Sequence, residues 1–121
     1  MKKSILKEKS FKFAVRTVNF YKHLCEEKHE YIMSKQLLKS GTSVGAVVRE
    51  AEHSESKADF IHKLAIAQKE INETIFWIEL LQATDYISMK EFESINLDAV
   101  ELLKIITSSI KTAKSKLTTN S

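Results

Sequence analysis

The sequence predicts an all-α protein, an antiparallel up-down-up-down four-helix bundle forming one domain over residues 1–121. Three observations lead there. Apolar residues recur at spacings of three and four in four separate segments. The segments are joined by only a few residues, which makes chain neighbours antiparallel. The chain has no proline and only two glycines, the residues on which β-turns and bulges draw. At 121 residues and 43% apolar content, it can bury a core without disulfides or a metal.

Helix 1 is expected at about 10–28, with a further turn or two reaching back to Ser4. Its apolar seam reads Phe11, Ala14, Val18, Tyr21 and Cys25, with Phe13, Thr17, Phe20 and Leu24 alongside. Helix 2, about 34–53, repeats Leu37, Gly41, Val44, Val48 and Ala51. Helix 3, about 56–84, opens with Ser56-x-x-Asp59, a capping-box-like start that sets an acid on the helix dipole. Phe60, Leu64, Ala67, Ile71, Thr74, Ile78 and Leu81 follow. Helix 4, about 88–117, opens with Ser88-x-x-Glu91 and continues through Phe92, Asn96, Ala99, Leu103, Ile106, Ile110, Ala113 and Leu117.

Both glycines lie four apart inside helix 2, at Gly41 and Gly45. Each costs roughly 1 kcal/mol relative to Ala in a helix interior, so a compensating close approach is expected, to helix 3 or to an adjacent subunit. Helix 3 is apolar on more than one side. Thirteen of its residues between Phe60 and Leu81 are apolar, and Ile66, Trp77 and Leu80 fall roughly 100 to 160° from the main seam. A bundle core needs only part of a helix circumference. The excess predicts a homo-oligomer, with Gly41, Gly45, Ile66, Glu70, Glu73, Trp77 and Leu80 as helix-packing or oligomer-interface residues, the last five forming the mixed inter-subunit face. A buried Glu73 would need a partner, with Thr42, Ser43 and Lys69 at hand.

The net charge of +3 hides a segregation. Residues 1–22 carry Lys2, Lys3, Lys7, Lys9, Lys12, Arg16 and Lys22 against Glu8 alone, and residues 104–121 carry Lys104, Lys111, Lys114 and Lys116 with no acid. The middle is acidic. In an up-down bundle the two basic segments share one end, and those eleven cations are the candidate nucleic-acid contacts. No membrane partner is expected, because the most apolar stretch, residues 60–81, contains Lys63, Lys69, Glu70, Glu73 and Glu79. The start lacks the apolar run of a signal peptide, so a cytoplasmic protein is expected.

Catalytic chemistry finds little purchase. Cys25 is alone, which excludes an intramolecular disulfide framework and a four-thiolate zinc site and leaves it as a small core residue. Glycines in a helical G-x-x-x-G serve packing, not phosphate cradling. The hydroxyls of Ser40, Thr42 and Ser43 are expected to bond back to their own helix. Glu50-x-x-His53 and Asp59-x-x-His62 flank a loop at one bundle end, whereas di-iron ligands come from the middle of the bundle, so no metal or cofactor is expected. Arg16 and His23 match the loose R-x(4–6)-H spacing of HEPN-type ribonucleases and share a helix face.

The string QLLKSGTSVGAVVREA, the following S-x-x-DF and KEINETIFW, together with SFKFAVRTVNFYKHL in helix 1, resemble the 23S rRNA intervening-sequence protein family. The likeness covers roughly residues 10 to 83. It includes non-apolar positions: Gln36, Ser40, Gly41, Thr42, Ser43, Gly45, Glu50, Ser56, Asp59, Lys69, Glu70, Glu73 and Trp77. Val47 and Val48 depart from the usual Asn-Ile pair. The resemblance implies an up-down bundle and, by similarity to the accessory variability proteins of diversity-generating retroelements, a pentamer that binds nucleic acid through a basic surface. No enzymatic activity is implied. The expectation is a non-enzymatic oligomer that binds structured RNA or a nucleic-acid–protein complex. The alternatives are a HEPN-like ribonuclease using Arg16 and His23, and a protein–protein adaptor without nucleic acid.

Overall fold

Serine starts three of the four helices. The Ser4 hydroxyl accepts the Lys7 N–H at 3.1 Å and that of Ser56 accepts the Asp59 N–H at 3.0 Å. Ser88 and Glu91 close a reciprocal box: Ser88 Oγ accepts the Glu91 N–H at 3.1 Å, and Glu91 Oε1 accepts the Ser88 N–H at 2.9 Å. These caps satisfy amides that have no partner within the helix. The helices they open are α1 (Ile5–Glu26), α3 (Lys57–Ala83) and α4 (Met89–Thr119), with α2 at Met33–Ala51. The computed structural model describes residues 4–119, of which 118 and 119 by backbone alone; Lys2 and Lys3 lie outside the described residues.

α2 is capped differently. His29 takes a left-handed φ of 54°, and the Glu30 N–H returns to the Leu24 carbonyl at 3.0 Å. That turn brings the Glu30 carboxylate under the next helix, where it accepts the N–H groups of Ile32, Met33 and Ser34 at 2.7 to 3.1 Å. An acid on a helix amino end is favoured by charge as well as by hydrogen bonding. The α3–α4 connection repeats the device. Asp85 has φ 66° and the Tyr86 N–H bonds the Leu81 carbonyl at 2.9 Å.

Each helix packs on its chain neighbours, and α1 touches α4 more lightly to close the ring. The diagonal pairs make no close backbone approach. This is the antiparallel up-down-up-down bundle. Leu24, Leu37, Val44, Leu64, Ile71, Ile78, Ile95, Leu102 and Ile106 fill its centre with little or no exposure. Ile95 and Leu102 replace the expected Asn96 and Leu103 at the centre of the α4 seam, with Leu103 packed beside it.

The α1 seam differs from the expected one. Ser10, Phe13, Thr17 and Leu24 are buried, whereas Phe11 is 55% exposed. The reason lies in the glycines, which approach α1 of the same chain rather than α3. A Cβ on Gly41 would sit 2.6 Å from Thr17 Cγ2, and one on Gly45 would sit 3.1 Å from the Ser10 carbonyl oxygen. At so short a separation only small side chains fit on α1. Ser10 and Thr17 satisfy their hydroxyls within α1, on the carbonyls of Lys7 and Phe13 at 3.1 and 2.8 Å. On the other side of α2, Thr74 of α3 donates to Ser40 Oγ at 2.8 Å within the core. The S-G-T-S-V-G string is therefore a three-way joint: Ser40 to α3, the glycines to α1, and Val44 into the centre.

Candidate nucleic-acid interface

α1 presents a basic side chain to α4 every seven residues. Lys9 pairs with Glu101, Arg16 with Asp98 at 2.6 Å, and His23 Nε2 lies 3.1 Å from Glu91 Oε2. Arg16 also donates to the Ser94 carbonyl at 3.1 Å and to the Ser94 hydroxyl. Two turns of helix separate successive rungs on α1, so the three rungs form one line. The Glu101 carboxylate holds the Lys9 ammonium above its usual range, first through the hydrogen bond and then through its charge. The Glu91 carboxyl is held below its ordinary range, chiefly by the Ser88 backbone N–H, with Lys28 and His23 adding to it.

The ladder changes the reading of the basic end. Lys9, Lys12 and Arg16 each face a carboxylate, Lys12 lying 3.8 Å from Glu8. Lys7 and Lys22 are exposed on α1 without an ion pair among the described residues. Lys104, Lys111, Lys114 and Lys116 are exposed on α4, and from Leu102 to the end of the chain there is no Asp or Glu. The Lys9–Glu101 pair fixes the register, with these α4 lysines beyond it toward the pole shared by the start of α1. The two segments do converge, but acids are interleaved on the α1 side and the α4 side alone is purely cationic. The seven-residue spacing of Lys9, Arg16 and His23, set against Glu91 and Asp98, is the sequence signal for the ladder.

Arg16 and His23, matched by spacing to ribonucleases, share the α4-facing line as expected, and each is joined to a different acid. Among the described residues no group of three His, Cys, Asp or Glu side chains could hold a metal ion. Cys25 is half-buried, with its Sγ 3.9 Å from Ser34 Oγ. Thr42 and Ser43 bond back to the Leu38 and Lys39 carbonyls, both at 2.7 Å. Ser40 reaches the Leu37 carbonyl three residues back.

The residues expected at an interface on α3 are mostly half-buried within the single chain. Ile66, Glu70 and Leu80 are of this kind, and Trp77 packs against the core edge with Phe76 edge-on at 5.0 Å. Glu73 is exposed and accepts the Trp77 indole N–H at 3.3 Å, so it needs neither Thr42, Ser43 nor Lys69. Phe76, 52% exposed, is the large apolar side chain that α3 leaves to solvent.

Three surface depressions among the described residues have distinct linings. A trough of about 760 Å³ runs between α1, α2 and the start of α3, floored by Ala14, Gly45 and Ala46. Arg49 closes one side, its guanidinium 5.6 Å from the Phe11 ring centre, and Glu50, Glu55 and Asp59 stand in the wall. A smaller one, about 130 Å³, lies beside the ladder at Lys9, Asp98 and Glu101. The third, about 380 Å³, lies between the start of α3 and the end of α4.

By class the molecule is an all-α four-helix bundle whose α4 end is cationic. The chain belongs to the 23S rRNA-intervening sequence protein family, whose model matches residues 2–108. A solved structure with the same fold is that of a protein with unknown function from the S23 ribosomal protein family of Bacteroides thetaiotaomicron. It is 56% identical, the match covers 88% of this chain and 99% of that chain, and the TM-score is 0.87. Comparison with curated proteins finds no match. No helix among the described residues is long and apolar enough to cross a membrane.

Proposed function

We propose that this chain is a non-enzymatic, cytoplasmic bundle protein that assembles with copies of itself, as a pentamer, and holds structured RNA or a nucleic-acid–protein complex with the cationic end of α4. The acid-free run from Leu102 onward, carrying four exposed lysines, is the observation that supports the binding role. Clustered lysines bind phosphates with little regard to sequence, and a ring would multiply a weak patch into an avid one. Self-assembly is supported by Phe11, Phe76 and Leu97, which stand 55, 52 and 69% exposed on helix surfaces. Light scattering gives the assembled mass, and fluorescence anisotropy with RNA hairpins across a salt series gives the binding. A 13.9 kDa particle at micromolar concentration would remove the oligomer. Absent or salt-insensitive binding would remove the nucleic-acid role.

A second reading, a protein adaptor without nucleic acid, draws on the large trough with its three carboxylates. Its partner would be a basic protein segment. Capture from lysate with and without nuclease separates the two, since only an RNA-dependent partner is lost on digestion.

A further inference from the structure

The cleft between the start of α3 and the end of α4 differs in kind from the other two depressions. Lys57, Phe60, Ser108, Ser109, Thr112, Ala113 and Lys116 line it, and none is an acid. The larger trough carries three carboxylates and the smaller one two. Lys57 and Lys116 form no ion pair among the described residues, unlike Lys9, Lys12, Arg16 and Lys63. Phe60 packs on the core from one side and lines the cleft with its remainder. Position 113 is the place where the α4 seam, after Ile106 and Ile110, drops to a methyl group, and that small residue opens the space. Ser109 spends its hydroxyl proton on the Ile105 carbonyl at 2.8 Å, while Ser108 and Thr112 make no side-chain hydrogen bond among the described residues. At about 380 Å³ the space is in the lower range of small-ligand sites.

An aromatic face, the two hydroxyls of Ser108 and Thr112 and two cations without an ion pair among the described residues match the three parts of a nucleotide. We infer that this cleft takes a single unpaired nucleotide, its base against Phe60, its sugar or base edge on Ser108 and Thr112, and its phosphate between Lys57 and Lys116. This rests on the nucleic-acid reading above and gives it a preference for single-stranded segments, since a base inside a duplex cannot reach a side-chain ring.

The test uses the full chain with two labelled probes of equal length, single-stranded and fully paired RNA. Phe60→Leu keeps an apolar filler but removes the aromatic face. It should weaken single-strand binding about tenfold and leave the duplex unchanged, with the same salt dependence. Lys57→Gln and Lys116→Gln should each reduce the slope of log K against log salt by about 0.7. Should Phe60→Leu not fold, these two surface changes decide the matter, together with Ala113→Val, which narrows the cleft. Wild-type RNA binding that none of the variants alters overturns the cleft while leaving the general binding role intact. Should the wild type bind no RNA, a titration with adenosine monophosphate, followed by the Ala113 methyl and Phe60 ring resonances, decides separately. Shifts that adenosine or inorganic phosphate alone reproduces only weakly support a free-nucleotide site, and no shift at millimolar nucleotide rejects it.

Discussion

Thr17 lies directly over Gly41: a Cβ at position 41 would meet Thr17 Cγ2 at 2.6 Å and Oγ1 at 2.7 Å. Thr17 cannot easily turn away, being fully buried with its hydroxyl donated to the Phe13 carbonyl at 2.8 Å. Gly41→Ala gains roughly 1 kcal/mol in helix propensity. Forcing a methyl group into a filled seam costs about 1 to 3 kcal/mol, and a gap this short belongs at the upper end, so a net loss of about 1 to 2 kcal/mol is expected. Thr17→Ala should lower stability in the wild type yet raise it in the Gly41→Ala background. Urea titration of the four proteins measures the coupling, and additive effects would mean that the two residues do not touch.

The Glu30 cap carries an acid dependence. Burial pushes its carboxyl up, but the backbone N–H groups of Ser34, Met33 and Ile32 outweigh burial and leave it below the ordinary 4.5. A folded value below the unfolded one stabilises fully above about pH 4.5, and that stability is lost as pH falls through the folded value. Glu91 adds a contribution of the same sign through the Ser88 N–H. Glu30→Gln should therefore cost about 1 to 2 kcal/mol at neutral pH. It should also make stability fall less steeply with acid than in the wild type. Urea midpoints across a pH series give both numbers, and parallel profiles would show that the carboxylate charge is not what the α2 amides hold.

The four helices and two of their caps are legible in the sequence because both signals are local. Period-three-and-four apolarity marks the helices, and the Ser56 and Ser88 boxes span three residues. The α1 seam is not legible in the same way. Its buried line passes through Ser10 and Thr17, which are chosen for smallness against Gly45 and Gly41; apolar periodicity passes over Ser10 and sets Thr17 only beside a seam led by Phe11 and Val18. The cap of α2 depends on a left-handed turn at His29, a backbone state that the residue type does not announce. For the basic end, charge counting finds the lysines of α4. It cannot tell that Lys9 and Arg16 are spent on α4 acids, which follows only from the register of the two helices.

The chain spends both glycines inside α2, and the two left-handed positions among the described residues fall to His29 and Asp85, at φ 54° and 66°. Each follows the end of a helix, where glycine removes the steric penalty of a Cβ. Asp85→Gly should stabilise by about 0.5 to 1 kcal/mol, net of the extra freedom glycine has when unfolded. The melting midpoint would rise by about 3 °C for a domain near this size. Asp85→Ala, which keeps the strain, should give no such gain. A smaller rise is expected for His29→Gly, because His29 Nδ1 lies 3.1 Å from the Tyr31 hydroxyl and that contact would go.

Arg16 separates the roles of fold and partner. Its guanidinium is fastened to Asp98 at 2.6 Å and to the Ser94 carbonyl at 3.1 Å, whereas Lys111 on the acid-free part of α4 stands exposed without an ion pair among the described residues. Arg16→Gln should therefore lower stability by up to about 1 kcal/mol, the range of part-exposed ion pairs. Most of that loss should vanish when Asp98 is already Asn. The salt dependence of RNA binding should be unchanged, because the arginine holds helices rather than phosphates. Lys111→Gln should do the reverse: stability as in the wild type, and a slope of log K against log salt reduced by about 0.7 to 0.9, one phosphate contact fewer. If Arg16→Gln reduces the slope as much as Lys111→Gln does, the guanidinium leaves Asp98 for the nucleic acid. The α1–α4 ladder would then open on binding, with Glu101 and Asp98 giving up their cations to the incoming phosphates.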